Sequence, residues 1–135
     1  MVTIEIEYQG DLHCEARHVP TGRLLQTDAP VDNEGRGESY SPTDLVATAL
    51  GSCILTIMGI YARRHGLDLA GTRLVVEKHM GTEPRRIVRL PVTITVPTAL
   101  EERHRQALEK AAHHCPVHAS LHPDIDKPIT IHYGR

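Results

Sequence analysis

The chain of 135 residues contains no Phe and no Trp, and its four Tyr are the only members of the Phe, Trp and Tyr group. Proteins that bind single-stranded nucleic acid stack the bases on aromatic side chains, which are scarce here. The formal net charge is −2, so the sequence provides no basic field for nucleic acid or for anionic lipid. We therefore expect no nucleic-acid partner and no membrane partner.

The sequence also lacks the pattern of a secretory leader or of a membrane span. The first residues, MVTIEIEYQG, alternate between apolar and polar side chains. The longest apolar stretch, Leu45 to Tyr61, is interrupted by Thr48, Ser52 and Thr56, and it falls short of the roughly 20 residues that a span requires. We expect a cytoplasmic protein, in which three cysteines suggest reactive or metal-binding thiols rather than structural disulfides.

The composition, 40% hydrophobic and 24% charged, predicts one globular domain over residues 1–135. Alternation predicts three strands before residue 30, and further strands in TRLVVEKHM, RRIVRLPVTITV and PITIHY. Helical spacing predicts a long central helix after Ser41 and an amphipathic helix after Thr98. This order predicts an α+β fold dominated by antiparallel pairing, with a long buried central helix.

Both predicted helices carry signals at their ends. Ser41 and Asp44 have capping-box spacing at the start of the first helix, and Gly66 follows its last turn. Since this helix is apolar nearly all round, we expect it to be buried on every side. Thr98 and Glu101 have the same capping-box spacing at the start of the second helix, which should end at Cys115.

The three cysteines have different expected roles. Cys14 lies on the apolar face of a strand, where a thiol packs as a small hydrophobic group. Cys53 and Cys115 lie on helical surfaces that should face one core, so they form either a redox pair or part of the packing. Cys115 precedes a short helix, and the amide N–H groups there favour a thiolate. Spacing alone leaves both interpretations of the pair open.

The segments around the two cysteines, SPTDLVATALGSC and AAHHCPVHASL, together resemble the family of osmotically inducible protein C and organic hydroperoxide resistance protein. The resemblance extends over essentially the whole chain, including the terminal ITIHY. It implies a thiol peroxidase that reduces hydroperoxides, often organic ones, and is reduced again by an external dithiol. It also implies an intertwined homodimer with its active sites at the subunit interface and no metal or organic cofactor.

The same resemblance assigns the roles in the site. Cys53 corresponds to the peroxidatic thiol and Cys115 to the resolving thiol. In this family an Arg activates the first thiol, and a Glu ten residues before that cysteine orients the Arg. Here the Glu is replaced by Thr43. We nominate Arg36 as the activating cation, with Arg23 as the second choice.

Two alternative functions stay open on the sequence. Because the usual Glu is absent, the chain could be a redox sensor or a binder of small apolar ligands rather than an enzyme. A histidine cluster suggests a metal-binding protein, because zinc takes imidazole and thiolate ligands. The cluster surrounds the second cysteine and comprises His113, His114, Cys115, His118 and His122. Adjacent histidines point about 100° apart on a helix, which weakens the metal interpretation.

Overall fold

A computed structural model of the chain describes residues 1–134. The described residues form two compact units, a first unit of residues 1–46 and a second unit of residues 47–134. The α+β class with mainly antiparallel sheets agrees with the prediction. The expectation of a single domain over residues 1–135 stays a prediction.

The first unit is built on a three-stranded antiparallel sheet. Its strands are β1 (Ile4–Tyr8), β2 (His13–His18) and β3 (Leu24–Asp28), in the order β1-β2-β3. The register places Ile6 opposite Ala16 and Ala16 opposite Leu25, so one face of the sheet is mainly apolar. We call this the open face; its large apolar members, Ile4, Ile6, Tyr8 and Leu25, are 57%, 69%, 63% and 44% exposed. The single chain therefore leaves a whole apolar sheet face in contact with water.

The long central helix α1 (Pro42–Arg64) begins and ends where the sequence predicted. The Ser41 hydroxyl accepts the Asp44 N–H at 3.1 Å, and the Asp44 carboxylate accepts the Ser41 N–H at 2.9 Å. After the last turn, Gly66 adopts a φ of +66°, a conformation that side-chain-bearing residues seldom take. The capping box and the glycine stop are thus both confirmed.

Within the single chain α1 is buried along one face, and its burial on every side stays a prediction. One face is buried, formed by Ala47, Leu50, Ile54, Met58 and Ala62, with Gly51 beside it. The opposite face is exposed, and it carries Ala49, Ser52, Thr56, Gly59 and Ile60. One small core cannot cover a helix that is apolar all round, so the second face stays in water unless another molecule covers it.

The helix is also longer than the apolar stretch considered in the sequence. It has 23 residues, and an 18-residue window within it has a mean hydropathy of 1.9, so by length and composition it could cross a membrane. Core helices of soluble proteins satisfy the same test, and Leu50, Ile54 and Met58 are fully buried within the chain. Length and composition therefore give only weak grounds for a membrane span.

The second unit contains a mixed sheet in the order β4-β7-β8. In it, β7 (Val92–Val96) pairs antiparallel with β4 (Arg73–Val76) and parallel with β8 (Ile129–Tyr133). A separate hairpin joins β5 (His79–Gly81) to β6 (Arg86–Arg89). The single strand expected over RRIVRLPVTITV is therefore two strands separated at Leu90 and Pro91. Proline lacks the N–H that would continue the ladder, which accounts for the break.

The helices of the second unit complete its core. The helix α2 (Glu102–Ala112) starts at Glu101, whose side chain makes no capping bond, so the capping box predicted for Thr98 and Glu101 is wrong. It is followed by the short helix α3 (Pro116–Ser120). Side chains from α1, from β7 with the residue Leu90 before it, and from α2 pack together in this core. They include Leu50, Ile54, Met58, Leu90, Val92, Ile94, Val96, Leu108 and Ala112.

A close approach fixes α1 against the sheet of the second unit. A Cβ atom at Gly51 would lie 2.8 Å from Cδ2 of Leu74 on β4. That distance is shorter than side-chain packing tolerates, so a side chain at position 51 would force the end of the Leu74 side chain to move. Cys53 follows two residues later on the same helix.

Candidate active site

The structure brings the two helical cysteines of the second unit together. Cys53 lies on α1 and is half-buried, whereas Cys115, between α2 and α3, is fully buried. Both are free thiols, and the Cys53 side chain is a hydrogen-bond partner of Cys115. Two thiols from positions 62 residues apart in the sequence therefore meet in one core.

The backbone around Cys115 holds its sulfur in place. Cys115 is the N-cap of α3, with φ −73° and ψ 150°, and Pro116 occupies the first helical position. The Cys115 Sγ accepts the backbone N–H of His118 at 3.2 Å. The thiol therefore fills the place that a Ser or Asp oxygen takes at most helix starts.

The surroundings of Cys115 favour its protonated form. Burial raises its pKa, and the hydrogen bond and charge of Cys53 raise it further. The N–H groups of His118 and Val117 lower the pKa of Cys115, but less than burial raises it. The prediction that Cys115 is a thiolate is therefore wrong, because removal from water outweighs the helix end. A protonated Cys115 can donate a hydrogen bond to a charged sulfur on Cys53.

The nominated cation, Arg36, lies in the first unit. Its guanidinium is 3.6 Å from the Asp11 carboxylate and 3.9 Å from that of Glu38, and about half of the side chain is exposed. Arg23 lies in the exposed connection between β2 and β3. The role of either Arg toward Cys53 stays a prediction.

Thr43, at the position of the family's Glu, joins the hydroxyl network at the start of α1. Its Oγ1 is 3.2 Å from the Ser41 hydroxyl. The neighbouring carboxylate of Asp44 is engaged by the Ser41 N–H at 2.9 Å. The acidic side chain nearest to the missing Glu therefore serves the helix cap.

The histidines around Cys115 do not form a metal site in the described part of the chain, where no three His, Cys, Asp or Glu side chains converge. The His114 ring donates to the Lys110 carbonyl at 2.6 Å, and the His122 ring accepts the Asp124 N–H at 3.0 Å. The described histidines therefore do not provide the three or four converging ligands that a zinc site needs.

His118 contacts another histidine ring, whereas His114 and His122 form hydrogen bonds with backbone groups. Its ring meets that of His113 edge to face, with centroids 5.9 Å apart. Burial lowers the pKa of His118, and the charges of Lys127, His113 and His114 lower it further. This side chain is therefore a neutral imidazole at neutral pH.

Cys14 lies in the first unit, beside a small apolar cavity of about 270 Å³. Asp28, which also lines this cavity, is 2% exposed and binds His13 at 2.6 Å through one carboxylate oxygen. The sequence placed Cys14 on an apolar face correctly, but it gave no sign of the buried Asp28 and His13 pair. The only signal for this pair in the sequence was the position of Asp28, a charged residue at the end of a predicted strand.

A second cluster that the sequence did not reveal links α1 to α2. The Tyr61 hydroxyl is 2.9 Å from Nδ1 of His104, which is 7% exposed, and the His65 ring stacks on Tyr61. A buried imidazole needs a polar partner, and the sequence pattern cannot name that partner. Elsewhere on α1, an apolar cavity of about 450 Å³ is lined by Leu55, Met58 and Ala62, among others.

Comparison with known proteins places this arrangement in a family. The family model described as OsmC-like protein matches residues 35–128, which include both helical cysteines. No curated protein matches the chain.

Among solved structures, the fold is similar to a candidate osmotic stress induced and detoxification response protein of Psychrobacter arcticus. The two share 45% sequence identity with a TM-score of 0.94, over 98% of this chain and 96% of that chain. An organic hydroperoxide resistance protein OsmC of Legionella pneumophila has 17% identity and a TM-score of 0.75, over 98% of this chain and 96% of that chain.

A third structure comes from Vibrio cholerae and is described as a candidate organic hydroperoxide resistance protein with captopril bound in one of its active sites. It has 17% identity and a TM-score of 0.76, over 97% of this chain and 90% of that chain. At such identities the two hydroperoxide resistance proteins share the fold with this chain. From the family match and the 45% identical structure, the chain belongs to the OsmC-like protein family.

Proposed function

We propose that this chain is a thiol peroxidase that reduces hydroperoxides, often organic ones, through Cys53 and Cys115. The observation that carries the proposal is the contact between a half-buried thiol and a fully buried thiol inside one unit. Membership of a family that includes hydroperoxide resistance proteins supports the substrate class.

The reaction needs no atoms beyond the two sulfurs, the peroxide and a reductant. The Cys53 thiolate attacks the terminal oxygen of the hydroperoxide and the O–O bond breaks. The alcohol departs, and Cys53 becomes a sulfenic acid. The Cys115 sulfur then attacks the Cys53 sulfur, and the sulfenic hydroxyl leaves as water with the Cys115 proton. An external dithiol reduces the resulting disulfide by two thiol–disulfide exchanges.

The unequal environments of the thiols support this division of roles. Cys115 keeps its proton because burial and the neighbouring Cys53 raise its pKa. It is thus a poor first nucleophile, since only the thiolate attacks. Its proton is available for the water that leaves in the second step. Cys53, which is partly accessible, is the sulfur that a peroxide can reach.

The cation that activates Cys53 is, in this proposal, Arg36. Two carboxylates, those of Asp11 and Glu38, flank its guanidinium and can orient it in the absence of the family's Glu. Arg36→Gln should slow oxidation of Cys53 by hydroperoxide, whereas Arg23→Gln should not. Equal rates in wild type and Arg36→Gln would remove Arg36 from the site.

We also propose that the working form is a homodimer in the cytoplasm. The open face of the first unit and the exposed face of α1 are both apolar surfaces that a second copy can cover. Three free thiols fit a reducing compartment, where an external dithiol is available.

The decisive experiment measures hydroperoxide consumption with a dithiol present. Purified wild type should turn over cumene hydroperoxide, and Cys53→Ser should show no turnover above the buffer. Cys115→Ser should turn over more slowly than wild type, because its sulfenic acid has no internal thiol to condense with and the external dithiol must reduce it directly. Cys14→Ser is the matched control and should retain the wild-type rate.

Mass spectrometry of the peroxide-treated protein should find a Cys53–Cys115 link. A wild type no faster than Cys53→Ser would refute the peroxidase. A disulfide that includes Cys14 would refute the assignment of roles.

A second candidate function is a non-catalytic sensor or binder of small apolar ligands. Thr43 in place of the Glu and the apolar cavity of about 450 Å³ on α1 favour it. Under this function, peroxide forms the disulfide without steady turnover, and an apolar probe such as 1-anilinonaphthalene-8-sulfonate binds at the cavity. Leu55→Trp, which places a larger side chain at the half-buried lining of the cavity, should then abolish probe binding.

A further inference from the structure

We infer that Cys115 couples the redox state of the thiol pair to the folding of α3. In the dithiol form its sulfur caps α3, and in a disulfide with Cys53 that cap is withdrawn and α3 opens. The inference rests on the proposed function, because the same two sulfurs take part in the peroxidase reaction and in the opening of α3. It concerns residues 115–121, and the peroxidase reaction itself requires only Cys115 among them.

The cap is the starting point. The Cys115 Sγ accepts the His118 N–H at 3.2 Å, and it is the side-chain cap of this helix. Helix α3 has five residues, and helices so short are unstable without contributions from their ends and surroundings. Loss of the hydrogen bond to the Cys115 sulfur therefore removes a large part of the interactions that stabilise α3.

Disulfide formation imposes a new geometry on that sulfur. The two cysteines are unbonded, while a disulfide needs an S–S distance of about 2.05 Å and a torsion near ±90°. We expect this geometry to draw the Cys115 Sγ away from the His118 amide. Pro116, directly after Cys115, has a fixed φ, so the backbone there has little freedom to absorb the displacement.

The other backbone bonds of α3 lie within the segment itself. The Ala119 N–H donates to the Cys115 carbonyl at 3.0 Å, and the Leu121 N–H donates to the Val117 carbonyl at 3.1 Å. The His118 ring contacts that of His113, at the end of α2. Because the backbone bonds that open join residues of this segment, opening should be confined to α3, with α2 unaffected.

Opening of α3 widens the access of the external dithiol. In the dithiol form Cys115 is 0% exposed and Cys53 is half-buried, so a closed α3 leaves only the Cys53 sulfur open to attack. Once α3 opens, a dithiol thiolate can attack either sulfur of the disulfide, the other sulfur leaves as a thiolate, and the second dithiol sulfur displaces the first. Reduction then restores the cap and closes the helix.

The test is hydrogen–deuterium exchange of residues 116–122, compared between the reduced and the oxidised full-length protein. Diamide forms the disulfide independently of peroxidase activity, because its N=N bond takes two electrons and two protons from the two thiols. We expect the α3 amides to exchange at least about fivefold faster after oxidation, the factor that corresponds to losing one helix cap. The amides of α2 should exchange at an unchanged rate.

Two variants provide matched controls. Cys115→Ser keeps an oxygen cap and cannot form the link, and Cys53→Ser keeps the Cys115 cap and cannot form it either. In both, diamide should leave α3 exchange unchanged. A verified Cys53–Cys115 disulfide with unchanged α3 exchange overturns the inference and leaves the peroxidase standing. If peroxide fails to form the link but diamide forms it and α3 opens, the peroxidase fails and the inference holds. Failure of both oxidants to form the link overturns both.

Discussion

Asp44 and Ser41 exchange two hydrogen bonds in the first turn of α1, one through each side chain. This pairing assigns the only acidic side chain in the first turn of the helix to its cap. The residue that follows Thr43 therefore has a structural role at the start of the helix.

Asp44→Ala should lower the free energy of unfolding by about 1 kcal/mol, the usual cost of losing a cap. It should leave the rate of hydroperoxide reduction unchanged. Asp44→Asn keeps an acceptor for the Ser41 N–H and should recover most of the stability in urea unfolding. If Asp44 oriented a cation instead, the Asn variant would lose activity as fully as the Ala variant, because both remove the charge.

Tyr61→Phe removes the hydroxyl that partners Nδ1 of buried His104. The imidazole nitrogen is then left without its partner, and we expect a loss of about 1–2 kcal/mol in the free energy of unfolding. Urea unfolding followed by circular dichroism measures it. Tyr40→Phe, at a side chain that is 54% exposed, is the control and should change stability by less than about 0.5 kcal/mol. Equal effects of the two variants would contradict the proposed importance of this bond.

The pH dependence of stability should report the buried Cys115. Its pKa is raised in the native state, so the native protein favours the thiol form. The stability that this group contributes is complete below the ordinary thiol pKa of about 8.5 and is lost as the pH rises through the native value. With excess reductant, wild type should lose more unfolding free energy between about pH 8 and about pH 10 than Cys115→Ser does. Cys14→Ser should follow wild type; equal slopes for wild type and Cys115→Ser would contradict the expectation.

Ile6→Glu places a carboxylate in the middle of the open face. If a second copy covers this face, the charge must leave water without a partner, and the dimer dissociation constant should rise by at least about 100-fold. Light scattering after size-exclusion chromatography measures the mass. Glu7→Lys changes a charge on the opposite face of the same strand and should leave the dimer intact. A dimer that survives Ile6→Glu unchanged shows that the open face is not its interface.

The parts of the fold that follow from local rules were predictable. Ser41, Pro42 and Gly66 define the ends of α1 through backbone chemistry that involves only their neighbours. The alternation of Val92, Ile94 and Val96 correctly placed three side chains in the core. In these segments, propensity and tertiary burial favour the same structure.

The predictions were wrong where the three-dimensional surroundings of a residue determine its pKa or its hydrogen bonds. Cys115 stands at a helix start, which favours a thiolate, but its complete burial has the opposite and larger effect on its pKa. Residues Thr98 and Glu101 have capping-box spacing, yet the chain enters α2 without that cap. Sequence spacing gives neither the depth of a side chain nor the path by which a loop reaches a helix.

The missing side chain at Gly51 also bears on the redox chemistry. Because Gly51 has no side chain, the end of the Leu74 side chain occupies the space of a Cβ atom two residues before Cys53. A methyl group there would displace Leu74, and any part of that displacement that the helix takes up would move the Cys53 sulfur relative to Cys115. The packing next to the thiol pair therefore depends in part on a hydrogen atom of a residue that takes no part in the reaction.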